Sequence, residues 1–263
     1  MYQLQLSTAS TICSISDIHV RSPQDERYQL LLEFFHTPTA KRAEVLVFLG
    51  DIFDLMVGFH EEYFQIYKDF FSEIESSIKN GKKVFFIAGN HDFHLARLFT
   101  HFNLRFPDGS GVRYCPFALE VIYENGEKAL FTHGHEIVPR KWKNLSYLGI
   151  INSSFANLIA NHFVSLATLN KVGDFLAKKS DRHYTFFNED ISRQNFRKWV
   201  TPYFQDNYKI IICGHSHVDD LWDIDETGST FYANNGYFPN SQKFIVIGNN
   251  INSHLSVMLN NLR

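Results

Sequence analysis

A chain of 263 residues and 30.6 kDa, 44% apolar and 20% charged, is long enough for one substantial domain or a domain with a sizeable insertion. That composition excludes a disordered, collagenous or coiled-coil protein, and a net charge of −3 gives no whole-chain electrostatic case for nucleic acid. No apolar run reaches the roughly 18 residues a membrane-spanning helix needs, and the N-terminus lacks the basic start and apolar core of a signal peptide. Three widely spaced cysteines, Cys13, Cys115 and Cys213, form no metal-ligand pair and suggest a reduced, cytoplasmic setting; Cys13 and Cys213, within predicted strands, read as buried core thiols.

In chain order, Thr11–Ser16 reads as a buried strand and Gln24–Phe35 as an amphipathic helix with Leu30, Leu31, Phe34 and Phe35 on one face. Val45–Leu49 is the next strand, Tyr63–Ile78 the next helix and Lys83–Ala88 a third strand, an alternation that predicts a sheet with helices outside it. Between Glu120 and Phe131, Glu124-Asn125-Gly126 predicts a hairpin turn. After Gly214, strand signals at Leu221–Ile224, Thr230–Ala233, Phe244–Ile247 and His254–Leu259 predict a second, more antiparallel sheet. The fold expected is α/β, a two-sheet α/β sandwich, as a single domain over residues 1–263.

Residues 139–200 differ from the rest. They read as nearly all helix and carry ten Lys/Arg against four Asp/Glu, a net +6 inside a chain of −3. A helical insertion over 139–206 is expected, basic and partly apolar, with a surface role of its own. Its most apolar stretch, Leu148–Leu169, is interrupted by Asn152, Asn157, Asn161 and His162, which argues against a bilayer span.

Five short motifs follow apolar strand runs: Ser16-Asp17-Ile18-His19, Gly50-Asp51-Ile52-Phe53-Asp54, Gly89-Asn90-His91-Asp92, His133-Gly134-His135 and Gly214-His215-Ser216-His217. Loops that leave the ends of strands present side chains on a rigid base at one sheet edge, where α/β proteins bind their ligands. Asp17, Asp51, Asn90 and the imidazoles make a mixed oxygen and nitrogen donor set that suits Mn²⁺, Fe²⁺ or Zn²⁺. One carboxylate can bridge two such ions, and a pair of ions about 4 Å apart activates water and clamps an in-line displacement at phosphorus.

The order D-x-H, G-D-x-x-D, G-N-H-D, H-G-H, G-H-x-H resembles the calcineurin-like metallophosphoesterase superfamily. LGDIFDLMVG (49–58), FFIAGNHDFHLARLF (85–99) and a basic helical insertion before the last motif resemble, within it, the bacterial UDP-2,3-diacylglucosamine hydrolases of lipid A synthesis. The resemblance covers residues 11–220 well and the C-terminal strands weakly. It implies one ion on Asp17, His19, Asp51 and His217, and a second on Asp51, Asn90, His133 and His215. It further implies that His91 contacts the phosphate and protonates the leaving group, that Asp92 orients His91, and that Asn235 joins Asn90 and His91 in holding substrate. Asp54 and His135 read as supports behind the ligands. His91 and His135 stand where the best-known hydrolases carry arginine and aspartate, which puts the substrate in question and not the metal chemistry.

The expected activity is therefore two-metal hydrolysis of a nucleotide-linked glycolipid, UDP-2,3-diacylglucosamine to UMP and acylated glucosamine 1-phosphate. Manganese is the expected ion, and the setting a cytoplasmic protein resting peripherally on the inner membrane. An anionic lipid headgroup suits the basic insertion; nucleic acid is not expected, since no groove-reading motif accompanies the charge. Competing readings are a phosphoesterase acting on another phosphodiester, nucleotide or phospholipid, a nuclease, and a metal-free protein-binding scaffold. His36, His60, His94, His101, His162, His183 and His254 have no motif context and read as ordinary surface or core residues.

Overall fold

The computed structural model describes residues 1–139, 166, 168, 169, 188–249 and 255–263. The strands are β1 (Tyr2–Leu6), β2 (Ile12–Ile15), β3 (Val45–Leu49), β4 (Met56–Val57), β5 (Lys83–Ile87), β6 (Asp92–Phe93), β7 (Arg113–Cys115), β8 (Ala118–Tyr123), β9 (Lys128–Thr132), β10 (Tyr208–Cys213), β11 (Asp219–Asp223), β12 (Phe231–Asn235), β13 (Lys243–Asn249) and β14 (Leu255–Asn261). The helices are α1 (Glu26–His36), α2 (Pro38–Arg42), α3 (Glu62–Ile66), α4 (Lys68–Lys79), α5 (Ala96–Asn103), α6 (Glu189–Gln205) and α7 (Phe238–Ser241).

Two six-stranded sheets, β1-β8-β9-β10-β12-β11 and β14-β13-β2-β3-β5-β7, carry the fold. Their central strands are apolar on both faces, and the period of two sorts each residue into a layer. Val45, Val47, Leu49, Phe85, Ile87, Ile210, Ile212, Ile245 and Ile247 point between the sheets. Leu46, Phe48, Val84, Phe86, Phe244 and Val246 point outward beneath the helices. On the far side of the other sheet, Ile211, Cys213 and Tyr232 meet Phe196 and Val200 of α6. The expected sandwich is thus present, with helices on both outer faces.

Much of the chain's aromatic content lies under α1, α4 and α5. Phe48 meets Phe70 at 5.4 Å and Phe86 meets Phe99 at 5.0 Å between ring centres. The long helix expected over Tyr63–Ile78 is two pieces, because Tyr67 leaves helical geometry (φ −109°, ψ 39°) to pack its ring on Phe53 at 4.6 Å. The expected hairpin is present: β8 and β9 run antiparallel across Gly126 at φ 85°.

The C-terminal strands do not form a sheet of their own, contrary to expectation. β11 and β12 extend the sheet of β10, whereas β13 pairs antiparallel with β2 and brings β14 with it into the other sheet. The open edge of β2 is what captures them. The expected insertion falls mostly outside the described residues, including its cations up to Arg182 and most of Leu148–Leu169. Its last part, α6, is a layer of the sandwich, and two of its cations are used internally: Arg197 makes a two-pronged pair with buried Asp220 (2.8 and 2.6 Å), and Arg193 pairs with Asp190 at 3.0 Å. Among the described residues, no helix is long and apolar enough to cross a membrane. The three cysteines are buried and free.

Candidate metal centre

Each motif leaves the C-terminal end of a strand that runs parallel to a neighbour: β2, β3 and β5 in one sheet, β9 and β10 in the other. Immediately beyond the strand the chain turns through left-handed backbone. Asp17, His19, Asp51, His215 and His217 have φ between 52° and 65°, a region that non-glycine residues rarely occupy and that collects at functional sites. The turn aims their side chains across the sheet edge at one another. Backbone bonds knit the loops together: Ile18 and His19 N–H donate to Asp51 O (2.9 and 3.0 Å), and Gly214 N–H donates to His133 O (2.9 Å).

The approach is close enough to require glycine. A Cβ at Gly89 would collide with the Asp51 carboxylate and backbone nitrogen, and one at Gly50 would sit 2.7 Å from Gly89 Cα and 2.8 Å from His133 Nδ1.

Two donor clusters share Asp51, and a third group, His19, Asp54 and His91, adjoins the first. Asp17, His19, Asp51 and His217 form one, and Asp51, His133 and His215 the other, each with its donor atoms within 4.8 Å of one another. Asp51 Oδ2 lies 3.7 Å from His19 Nε2 and 3.3 Å from His133 Nε2. His217 Nε2 is 3.3 Å from Asp17 Oδ1 and 3.2 Å from His19 Nε2, and Asn90 Oδ1 is 3.1 Å from His133 Nε2. Hard oxygens and imidazoles converging from different elements are a donor set that fits two divalent ions.

The supports behind the donors fix their aim. His133 Nδ1 donates to Leu49 O (2.9 Å), which turns its Nε2 toward Asp51. Asp54 Oδ1 lies 3.5 Å from His19 Nδ1. His135 is buried, its ring 5.4 Å from that of His133, and its Nε2 is 3.4 Å from Glu136. His91 lies at the rim, its ring edge-on to His19 at 4.8 Å, with Nδ1 donating to Asp54 O (2.7 Å).

Two expectations are corrected here. Asp92 does not orient His91, whose Nδ1 is held by Asp54. Its carboxylate is fully buried and accepts from the backbone N–H of Asp51 (2.8 Å), Ile52 (2.7 Å), Phe53 (3.3 Å) and Gly89 (2.9 Å), tying two motif loops together. Asn235 does not face a substrate. It is fully buried, donating to Ser16 O (3.1 Å) and accepting from Ser16 Oγ (2.8 Å), so it secures the loop that carries Asp17. Asn234 serves the opposite loop by donating to Gly214 O (2.7 Å).

Packed charges shift the acidities. Burial pushes the Asp51 carboxyl upward, but His133, His91 and His19 outweigh it and hold it well below the usual carboxylate value. Burial alone would lower His133, yet Asp51 and Asp17 raise it to about 10. His215, buried beside that cation, falls to about 3 and is a neutral donor. His91 is raised: burial opposes its charge, while Asp51 and Asp54 favour it more strongly.

Three residues of the site lie outside the motifs: Glu136, Tyr237 and Phe196. Glu136 accepts from Thr132 Oγ1 (3.0 Å) beside His133, and Phe196 of α6 rests 6.3 Å from the His215 ring. Tyr237 stacks on His217 at 5.3 Å. An acid one residue past His-Gly-His was the only hint available.

A model of the calcineurin-like phosphoesterase family matches residues 10–219. The UDP-2,3-diacylglucosamine hydrolase of Histophilus somni (strain 2336) is 25% identical over 209 residues, covering 79% of this chain and 84% of that one. The protein of the same name from Neisseria gonorrhoeae is 36% identical over 85 residues, 32% of this chain and 35% of that one. Among solved structures, an archaeal phosphodiesterase superposes with a TM-score of 0.44 at 11% identity, covering 95% of this chain and 99% of that one.

Proposed function

Because the chain belongs to the calcineurin-like phosphoesterase family, we propose that it is a two-metal hydrolase that cleaves the pyrophosphate of UDP-2,3-diacylglucosamine, releasing UMP and acylated glucosamine 1-phosphate. The observation that carries the two-metal reading is the position of Asp51, whose single carboxylate is common to both donor clusters. Asp17, His19, Asp51 and His217 would hold one ion, and Asp51, Asn90, His133 and His215 the other, with manganese the first choice and iron or zinc compatible. Such ions supply activated water and neutralise negative charge on a phosphoryl group.

The chain's own residues do the rest. His91 N–H donates to Asp51 Oδ1 (2.9 Å), so the loop that carries His91 moves with the shared carboxylate. With Nδ1 committed to Asp54 O, the His91 imidazole has Nε2 left for the phosphate, and its raised pKa suits it to give a proton to the departing oxygen. Support for the lipid substrate comes from the relatives named for it and from the basic segment at 139–200, which also suits docking on an anionic cytoplasmic membrane surface.

The test is UMP release from UDP-2,3-diacylglucosamine by manganese-loaded protein, beside Asp51→Ala and a generic aryl phosphodiester. Rapid UMP release that Asp51→Ala abolishes is expected. Turnover of the aryl ester alone would retain the metal chemistry and reject the glycolipid. Flotation with anionic liposomes at low salt checks membrane docking, and protein left entirely in the soluble fraction refutes it.

A further inference from the structure

Four rings cluster on one side of the centre, where Tyr237 packs against His217 and also lies 6.1 Å from His19. His91 and His19 are 4.8 Å apart, His19 and His217 5.1 Å, and His217 and Tyr237 5.3 Å, the last pair nearly parallel at 28°. Tyr237, at the start of α7, is tied to His217 twice, since its backbone N–H also donates to His217 O (3.1 Å). Arg27, in the first turn of α1, completes the arrangement. Its guanidinium carbon lies 5.8 Å from the Tyr237 ring centre, and its NH1 donates to His19 O at 2.9 Å. One arginine thus touches both the backbone of one imidazole donor and the ring that backs the other.

We propose that Tyr237 and Arg27 are positioning residues for the Asp17–His19–Asp51–His217 ion alone: the tyrosine ring fixes the plane of the His217 imidazole, and the arginine fixes the loop of His19. Neither residue belongs to the donor clusters. The need is physical. His19 and His217 face each other through Nε2 atoms 3.2 Å apart, close enough for one ring to donate to the other; turning both lone pairs to one ion gives up that bond, so each ring must be held from behind. A stacked aromatic face resists rotation about the Cβ–Cγ bond, and the cation beside that ring strengthens its hold. The second cluster leans on different groups, His133 on Leu49 O and His215 on the Phe196 ring, so it does not share this support.

The proposal rests on the two-ion reading, and the experiment separates the two. Manganese is titrated into the metal-free full-length chain by calorimetry, with electron paramagnetic resonance reporting whether the two ions are spin-coupled. Wild type binding fewer than two ions would defeat the two-ion reading itself. Given two, Tyr237→Leu is expected to weaken one binding event about 10–100-fold, leave the other unchanged, and show uncoupled manganese at one equivalent. Tyr237→Phe, which keeps the ring, restores both events. Arg27→Gln, a partly exposed site that spares the core, weakens the same event as Tyr237→Leu, whereas Phe196→Leu weakens the other. Wild-type binding by Tyr237→Leu and Arg27→Gln, or an equal loss at both ions, overturns the proposal.

Discussion

Removing the Asp92 carboxylate tests the reassignment of this residue from catalysis to architecture. Its two oxygens accept four backbone N–H groups at 2.7 to 3.3 Å, all of them buried, from the loops that carry Asp51 and Asn90. Hydrogen bonds to a charged acceptor contribute about 1.5–3 kcal/mol each, and the cost of burying the carboxylate offsets part of the sum. Asp92→Ala, which strands the donors, is therefore expected to cost about 3–5 kcal/mol. At about 2–4 °C per kcal/mol for a domain of this size, Tm falls by about 6–20 °C. Asp92→Asn keeps one oxygen for Asp51 and Gly89 but turns an amide donor toward Ile52 and Phe53, so roughly half of that loss is expected. The assay is urea unfolding of metal-free protein across pH. Burial and the Asp51 charge push the Asp92 carboxyl up to about 7. An acid raised in the fold holds its proton where the unfolded chain has lost it, so its contribution makes stability fall as pH rises from the ordinary carboxylate range to about 7. Asp92→Asn should remove that slope. If both variants unfold like wild type yet lose turnover on substrates with poor leaving groups, Asp92 acts on the chemistry and the reassignment fails.

Three further outcomes follow from the same geometry. His91→Ala should slow an alkyl phosphodiester about 10²–10⁴-fold and a nucleotide pyrophosphate much less, and equal losses in steady-state assays would count against proton donation. His133, raised to about 10 by Asp51 and Asp17, is protonated at neutral pH in the metal-free protein, and its Nε2 must lose that proton to bind a metal. Calorimetry in buffers of different ionisation enthalpy should show about one proton released per metal-loaded molecule, with affinity rising with pH and the release missing in His133→Gln. Gly89→Ala, whose Cβ collides with Asp51, should abolish the second manganese in the same titration while the sheets persist by circular dichroism.

What was legible in the sequence and what was not divide along the length scale of the interactions. The layers were legible, since alternate residues such as Val45 and Leu46 declare opposite faces within five positions. The centre was legible because its donors fall in short motifs directly after runs that read as strands, two of them as pairs two residues apart, Asp17/His19 and His215/His217. The fate of the C-terminal strands was not: β13 alternates equally well for either sheet, and only the open edge of β2, more than 200 residues away in sequence, decides between them. Asp92 and Asn235 were misread for a related reason. A carboxylate or an amide beside a donor motif looks chemical, and only the fold shows its hydrogen-bonding capacity already spent on backbone 40 residues away for Asp92 and on Ser16, 219 residues away, for Asn235.

That spending explains why the two misread residues accompany the donors at all. Five of the donor residues sit in left-handed backbone, each at about 1–3 kcal/mol above an ordinary conformation, and their three imidazoles and two carboxylates crowd together beyond the strand ends. A loop under such strain relaxes unless its backbone is overdetermined from outside. Asp92 supplies this for the Asp51 loop, Asn235 for the Asp17 loop through Ser16, and Asn234 for the Gly214 loop, one buried polar anchor for each strained turn. The anchors lie in different elements from the turns they hold, and Asn235 of β12 reaches Ser16 after β2, so this anchor forms only once the two sheets have closed. Loss of an anchor should accordingly appear first as weakened metal binding at a temperature where the sheets are still folded, because the strained turns relax before the apolar layers part.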